Sequence, residues 1–192
     1  MSIDAMKHID EQLISACKKK DEYAFRTIYE IYAPKMMGVC LRYMHNRQEA
    51  EDILQESFIK VFLNIDKYRF EGSFEGWLRR IVVNTALNKL RDEAGKDYSL
   101  MDDNLIEIIN KTENIDNEYQ AYTLDDMLTA IQQLSNMNRI IFNLTEIEGY
   151  TTHEIAEKLN LSENTIRGTL SKAKAILRTN LEKNKNKHNV GQ

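Results

Sequence analysis

Arg80, Asn84, Asn88 and Arg91 recur at helical spacing within GWLRRIVVNTALNKLRDE, and Trp77 opens the same stripe. On a wheel of 100° per residue they share an arc about 80° wide, while Leu78, Ile81, Val82, Val83, Ala86 and Leu90 fill a broad apolar arc. Guanidiniums reach phosphates or guanine edges, carboxamides reach adenine edges, and a flat indole can stack on a base. The chemistry on offer is nucleic-acid recognition. A plain solvated stripe with Trp77 turned into the core has the same periodicity, so both readings stay open at this point.

A second stripe lies in ENTIRGTLSKAKAILR, residues 163–178. Ile166, Leu170, Ala173 and Leu177 form a narrow apolar arc. Opposite them stand Asn164, Gly168, Ser171 and Ala175. Arg167, Lys174 and Arg178 flank this small stripe on one edge, Thr165 and Lys172 on the other. Glycine inside a helix costs about 1 kcal/mol relative to alanine. A helix that enters a groove gains from small central residues with long cations reaching phosphates on both sides.

Other residues with chemical potential point nowhere. HEIAE, His153–Glu157, resembles the start of a zinc-protease helix, but its second metal position is Glu157 instead of His. Cys17 and Cys40 have no metal-ligand spacing and are too few for a disulfide framework. There is no phosphate-cradling glycine loop and no nucleophile elbow. The expectation is a binding protein with no enzymatic activity and no cofactor.

The elements that must position these stripes are helices. One proline and seven glycines are few for a turn-rich β fold, so an all-α protein is expected. The pattern predicts helices at roughly 9–19, 22–44 (interrupted near Pro34), 47–66 and 74–92, then 124–134, 136–147, 152–159 and 163–183. The last two read as a helix-turn-helix. Gly149 closes the preceding helix, Thr151 and Glu154 form a capping box, Leu161 plugs the turn, and Ser162 caps the second helix. On 47–68, Ala50, Leu54, Phe58, Val61 and Ile65 form the core stripe. The opposite side holds Asp52, Gln55 and Glu56 but also Ile59 and Leu63. That side is either a broadened core face or a docking face for a partner.

Charge divides the chain the same way. Residues 1–91 carry net +2, residues 92–128 net −9 and residues 129–192 net +3. Two mildly basic blocks thus flank an acidic one, which suits nucleic-acid binding better than the total of −4 suggests. The acidic block reads as a flexible linker over 93–123, with a helical turn near Leu105–Ile109. The expected division is 1–92, the linker 93–123, a second domain 124–183 and a basic, frayed tail 184–192. MSIDAMKHIDEQ lacks the features of a signal peptide, and no apolar run approaches a bilayer span, so a cytoplasmic protein is expected.

EAEDILQESFIKVF, YRFEGSFEGWLRRIVVNTALNKLR and EIEGYTTHEIAEKLNLSENTIRGTLSKAKAILR, in that order, resemble an extracytoplasmic-function (ECF) sigma factor of the sigma-70 family. Coverage is about residues 20–92 and 125–182. The resemblance implies a two-domain helical initiation factor. Its first domain binds the β′ clamp helices of RNA polymerase core and opens the −10 element; its second binds the −35 element and the β flap. Position by position, Asp52, Gln55 and Glu56 match the core-binding motif, with Ile59 and Leu63 completing that surface. Phe70, Glu71, Gly72, Ser73 and Phe74 match the loop that captures a flipped −10 base. Trp77, Arg80, Asn84, Asn88 and Arg91 lie on the −10 helix. Asn164, Thr165, Arg167, Gly168, Ser171, Lys172, Lys174 and Arg178 lie on the −35 helix.

The family also implies an anti-sigma partner. Two departures stand out: Gly168 and Thr169 replace a frequent Ser-Arg, and Leu134-Ser135 replaces a frequent Leu-Pro. The competing expectation is a stand-alone helix-turn-helix regulator, which would need dimer symmetry for affinity.

Overall fold

The structure is a computed structural model describing residues 3–93 and 122–189, all of whose regular elements are helical. The chain divides into two compact units, Met1–Leu90 and Arg91–Gln192. The expected acidic linker falls, from 94 to 121, outside the described residues, together with the helical turn at Leu105–Ile109.

The first unit holds α1 (Ile3–Lys18), α2 (Glu22–Tyr43), α3 (Arg47–Leu63), a 3-10 turn (Ile65–Lys67) and α4 (Phe74–Glu93). Asp21 caps α2 by accepting from the Ala24 N–H, and Asn46 caps α3 by accepting from the Glu49 N–H. α2 packs on both α1 and α3, and α1 also meets the 3-10 turn. Ile28, Tyr32, Met36, Val39 and Tyr43 from α2 share a buried core with Ala50, Leu54, Phe58 and Val61 from α3 and Leu78, Val82, Ala86 and Leu90 from α4.

Two expectations are corrected here. α2 runs unbroken through Pro34. Pro34 and Glu30 both lie on the exposed side, so the carbonyl that loses its N–H partner can be hydrated. α1 begins at Ile3 instead of near residue 9, since residues 3–9 contain no glycine or proline to stop it.

Both thiols are buried and free. Burial, aided by the Asp21 charge, pushes the Cys17 thiol up to about 11, and burial pushes Cys40 up to about 12. Neither forms a thiolate near neutral pH.

The second unit holds α5 (Leu124–Gln132), α6 (Asn136–Phe142), a π-helical turn (Asn143–Ile147), α7 (Thr152–Leu159) and α8 (Glu163–Asn189). α8 packs against α5, α6 and α7. Its Leu177 and Leu181 meet Ala130 and Ile131 of α5 in one core cluster. Fully buried Arg139, on α6, braces the α5–α6 turn. Its guanidinium donates to the Gln132 carbonyl at 3.1 Å and to Asn136 Oδ1 at 2.8 Å.

The expected helix 136–147 is not uniform. The Glu148 N–H reaches the Asn143 carbonyl five residues back, at 2.9 Å, a π bond that admits one extra residue. Gly149, at φ +75°, then ends the segment, and the Tyr150 N–H caps the Leu144 carbonyl at 2.9 Å.

The Thr151–Glu154 capping box forms in both directions. Leu161 is half-buried in the turn, and Ser162 Oγ accepts from the Thr165 N–H at 3.1 Å. α8 continues past the expected end near 183 to Asn189, because no glycine or proline intervenes. On α8, Ile166, Ala173 and Leu177 are buried as expected, but Leu170 is half-buried and Thr169 is buried. The core arc is thus rotated toward Thr169.

Two stability outcomes follow from this packing. Leu78→Ala should lower the stability of the first unit by about 3 kcal/mol. Urea unfolding followed by emission of Trp77, the chain's one tryptophan, reads that unit alone. In the second unit, the Glu154 carboxyl is held below its usual 4.5 by the Thr151 N–H and then the Thr151 hydroxyl. Its contribution is complete above that value and lost as pH falls through the lower folded-state value. Glu154→Gln keeps the cap's shape but has no proton to gain. Acid unfolding curves should therefore show wild type losing its advantage only below the usual carboxylate range.

Candidate nucleic-acid interfaces and docking face

α3 turns its core stripe inward and leaves Asp52, Gln55 and Glu56 exposed. Ile59 and Leu63 lie in the same arc, 60 % and 77 % exposed. Exposure on this scale excludes the broadened-core reading, since no described residue covers either aliphatic. Burying such a side chain contributes about 1.5–3 kcal/mol, which a partner could gain here. Glu56 is paired with Lys60 at 2.6 Å. Exposed pairs of this kind are worth at most about 1 kcal/mol, so the carboxylate remains open to exchange.

The loop between the 3-10 turn and α4 is built around Tyr68, whose ring is buried. Its phenol donates to the Gly72 carbonyl at 2.9 Å, bridging the loop. Phe70 and Gly72 take positive φ values of +62° and +85°. For Gly72 that is free of strain; for Phe70 it costs roughly 1–2 kcal/mol. Phe70 remains 42 % exposed, and Glu71, Gly72 and Ser73 are exposed beside it.

Phe74 differs from these. It is 2 % exposed, packed edge-on against Tyr32 at 5.4 Å and Tyr68 at 5.3 Å. It anchors the loop from below and offers no face to a ligand. Ser73 Oγ accepts from the Gly76 N–H at 3.1 Å and so starts α4 as a capping residue.

On α4, Arg80, Asn84, Asn88 and Arg91 are all exposed. Trp77 belongs half to the core: it stacks on Phe74 at 5.7 Å and tilts against Tyr68 at 5.4 Å. The stripe is thus a polar face with its tryptophan at the edge, engaged in packing. Sequence reasoning missed Tyr68 and its partner Lys18. The Lys18 ammonium donates to the Tyr68 carbonyl at 2.7 Å and sits 5.0 Å from the centre of the Phe70 ring. A contact spanning fifty residues leaves no mark on local periodicity.

On α8, Asn164, Gly168 and Ala175 are exposed and Ser171 is half-buried. The small stripe therefore faces outward. A methyl group placed on Gly168 would meet no atom within 4 Å, so internal packing does not require glycine there.

Arg167 is exposed, while Thr165, Lys172, Lys174 and Arg178 are half-buried along the two edges. Arg167 and Lys174 already have acidic neighbours. Arg167 lies 2.6 Å from Glu163, and Lys174 lies 3.0 Å from Glu146 on the π turn. Thr169 points inward, so of the paired departure at 168 and 169 only Gly168 alters the outward face.

His153 is exposed on α7, with Nε2 3.6 Å from Glu157 and Nδ1 3.3 Å from Glu163. It links α7 to the first turn of α8. Among the described residues no three side chains gather to hold a metal ion.

Residues 28–95 match Sigma-70 region 2, and residues 124–177 match Sigma-70, region 4. The RNA polymerase sigma-H factor of Pseudomonas aeruginosa is 30 % identical over 176 residues, spanning 88 % of this chain and 91 % of that protein. The ECF RNA polymerase sigma factor SigW of Bacillus subtilis is 30 % identical over 191 residues, spanning 92 % and 98 %. Among solved structures, the sigma factor RpoE from Bartonella quintana, crystallised in complex with the anti-sigma factor NepR, shares the fold. Its TM-score is 0.51 at 19 % identity, over 82 % of this chain and 96 % of that one. Two regions matched in order, and full-length relatives with the same arrangement, establish that this chain belongs to the ECF group of the sigma-70 family of RNA polymerase sigma factors.

Proposed function

We propose that the exposed face of α3 seats the first unit on the β′ clamp helices of RNA polymerase core. Ile59 and Leu63 supply the apolar centre, and Asp52, Gln55 and Glu56 the polar margin. The loop Phe70–Ser73 receives a base flipped out of the −10 element, Phe74 and Trp77 support it, and Arg80, Asn84, Asn88 and Arg91 of α4 contact the adjoining DNA. α8 enters the −35 groove with Asn164, Gly168 and Ser171 central. Thr165, Arg167, Lys172, Lys174 and Arg178 reach the phosphates. The second unit also meets the β flap.

In this division residues 1–92 form the core-binding and −10 domain and 124–183 the −35 domain, with 93–123 joining them. The chain binds and directs polymerase, which performs the chemistry. The factor acts in the cytoplasm, and an anti-sigma protein, as accompanies the RpoE relative, holds it when idle. No helix among the described residues is long and apolar enough to cross a membrane.

One observation carries this reading over that of a stand-alone regulator. The chain presents an acid-margined apolar docking face on α3 as well as a cation-flanked small stripe on α8. A regulator that used only the helix-turn-helix has no task for the first.

Transcription in vitro from a pool of genomic templates, with core enzyme and this protein, should give promoter-specific products. Tight core-independent binding to a palindrome, without such products, would favour the regulator. Gln55→Ala with Glu56→Ala should weaken core binding about tenfold or more while the −35 contact persists. Arg167→Ala with Lys174→Ala should leave core affinity unchanged and reduce the salt slope of −35 binding by up to about 2. Loss of core binding in this second pair would overturn the division of labour. Gly168→Ala should raise thermal stability by up to about 1 kcal/mol and yet weaken −35 binding, because the added methyl meets DNA alone.

A further inference from the structure

Phe70 holds a left-handed backbone angle of +62°, a conformation that persists only where neighbours impose it. Tyr68 Oη holds the far end of the loop at Gly72, 2.9 Å away. The Tyr68 and Phe70 rings tilt together at 5.1 Å. A further restraint is Lys18, which is not part of the loop, of α3 or of α4. Its ammonium donates to the Tyr68 carbonyl at 2.7 Å and lies 5.0 Å from the Phe70 ring centre. One cation thus fixes both the backbone entering the loop and the aromatic ring on it.

Lys18 is itself held in place. Cys17 beside it and Ile14 one turn earlier are buried in the core. The chain then stops α1 with Lys20 at φ +63°, and the Asp21 N–H caps the Ala16 carbonyl at 3.2 Å. The end of α1 is therefore a rigid mount for one half-buried ammonium aimed at the loop.

We propose that Lys18 is a positioning residue for promoter opening: from α1 it holds the Tyr68–Ser73 loop in the shape that receives the flipped base. This rests on the sigma-factor reading of that loop. A loop already ordered in its receiving form loses less conformational freedom when the base enters. Without the cation, Phe70 relaxes toward ordinary angles and the loop must be reordered in every opening event. Lys18 is not one of the residues of the α3 docking arc, so its effect falls on the opening step.

The test uses the full chain with core polymerase and compares wild type, Lys18→Met and Lys18→Arg. Methionine keeps the packed stem but removes the charge and the donor; arginine restores both. Three quantities are read: core affinity, thymine reactivity to permanganate as a measure of opening, and acrylamide quenching of Trp77, which packs on Tyr68.

Expected are unchanged core affinity in all three and opening reduced about tenfold in Lys18→Met. Trp77 should be more readily quenched in that variant, and both signals should recover in Lys18→Arg. Wild-type opening and quenching in Lys18→Met would overturn the proposal. So would a parallel loss of core affinity, which would mean that α1 merely holds the unit together. Failure of wild type itself to open any promoter with core would instead bring down the sigma-factor reading of the loop, and the role of Lys18 with it.

Discussion

The first unit turns on the buried ring of Tyr68. It meets Phe74 at 5.3 Å, Trp77 at 5.4 Å and Phe70 at 5.1 Å, and its phenol reaches the Gly72 carbonyl. Through Phe74 the same cluster reaches Tyr32 on α2. Aromatic pairs of this geometry contribute roughly 0.5–1.5 kcal/mol each beyond the area they bury. Taken together they fix where α4 starts relative to α2, and so which side of α4 is left to solvent. The exposure of Arg80, Asn84, Asn88 and Arg91 is a consequence of that anchoring, as is the loop that projects above it.

α8 solves the corresponding problem in the second unit with one helix. It packs against α5, α6 and α7, so each of those short helices depends on it for a core. Helices of seven to nine residues are marginal alone, and side-chain caps help α5 and α7 begin. Thr123 with Asp126 and Thr151 with Glu154 form reciprocal boxes. Because three neighbours cover only one side, the arc bearing Asn164, Gly168 and Ala175 stays uncovered. An uncovered face of small residues is thus what remains after the core requirement has been met.

Much of this was legible in the sequence, for identifiable reasons. Ile59 and Leu63 break the polar side of α3, and such a break is visible on any helical wheel. The α8 stripe and the capping box at Thr151 are likewise local patterns. What escaped were long-range or directional facts. Phe74 reads as a loop residue until its ring is seen between Tyr32 and Tyr68. Lys18 and Tyr68 meet across fifty residues. Leu170 and Thr169 differ in burial because the neighbours of α8 sit to one side of the predicted arc, and periodicity gives an arc's width better than its centre. The π turn at Asn143–Ile147 has no pattern of its own. Pro34 does not interrupt α2, because its cost depends on whether the orphaned carbonyl can reach water.

The acidic partners of the α8 cations bear on how the two stripes work together. Arg167 and Lys174 each sit within 3.0 Å of a carboxylate, on Glu163 and Glu146. Pairs this exposed are worth less than about 1 kcal/mol and weaken with salt, so phosphates can displace them. Displacement leaves each carboxylate near the DNA backbone, however, which offsets part of the gain. If α8 binds DNA as proposed, its affinity alone is thereby kept modest, in keeping with a chain of net charge −4. In the proposed function, docking through α3 changes this balance without any new contact on α8. Once the first unit is held on polymerase, the second searches as a tethered group at high effective concentration. On that reading a modest −35 contact suffices at a promoter and does not hold the free factor elsewhere on DNA.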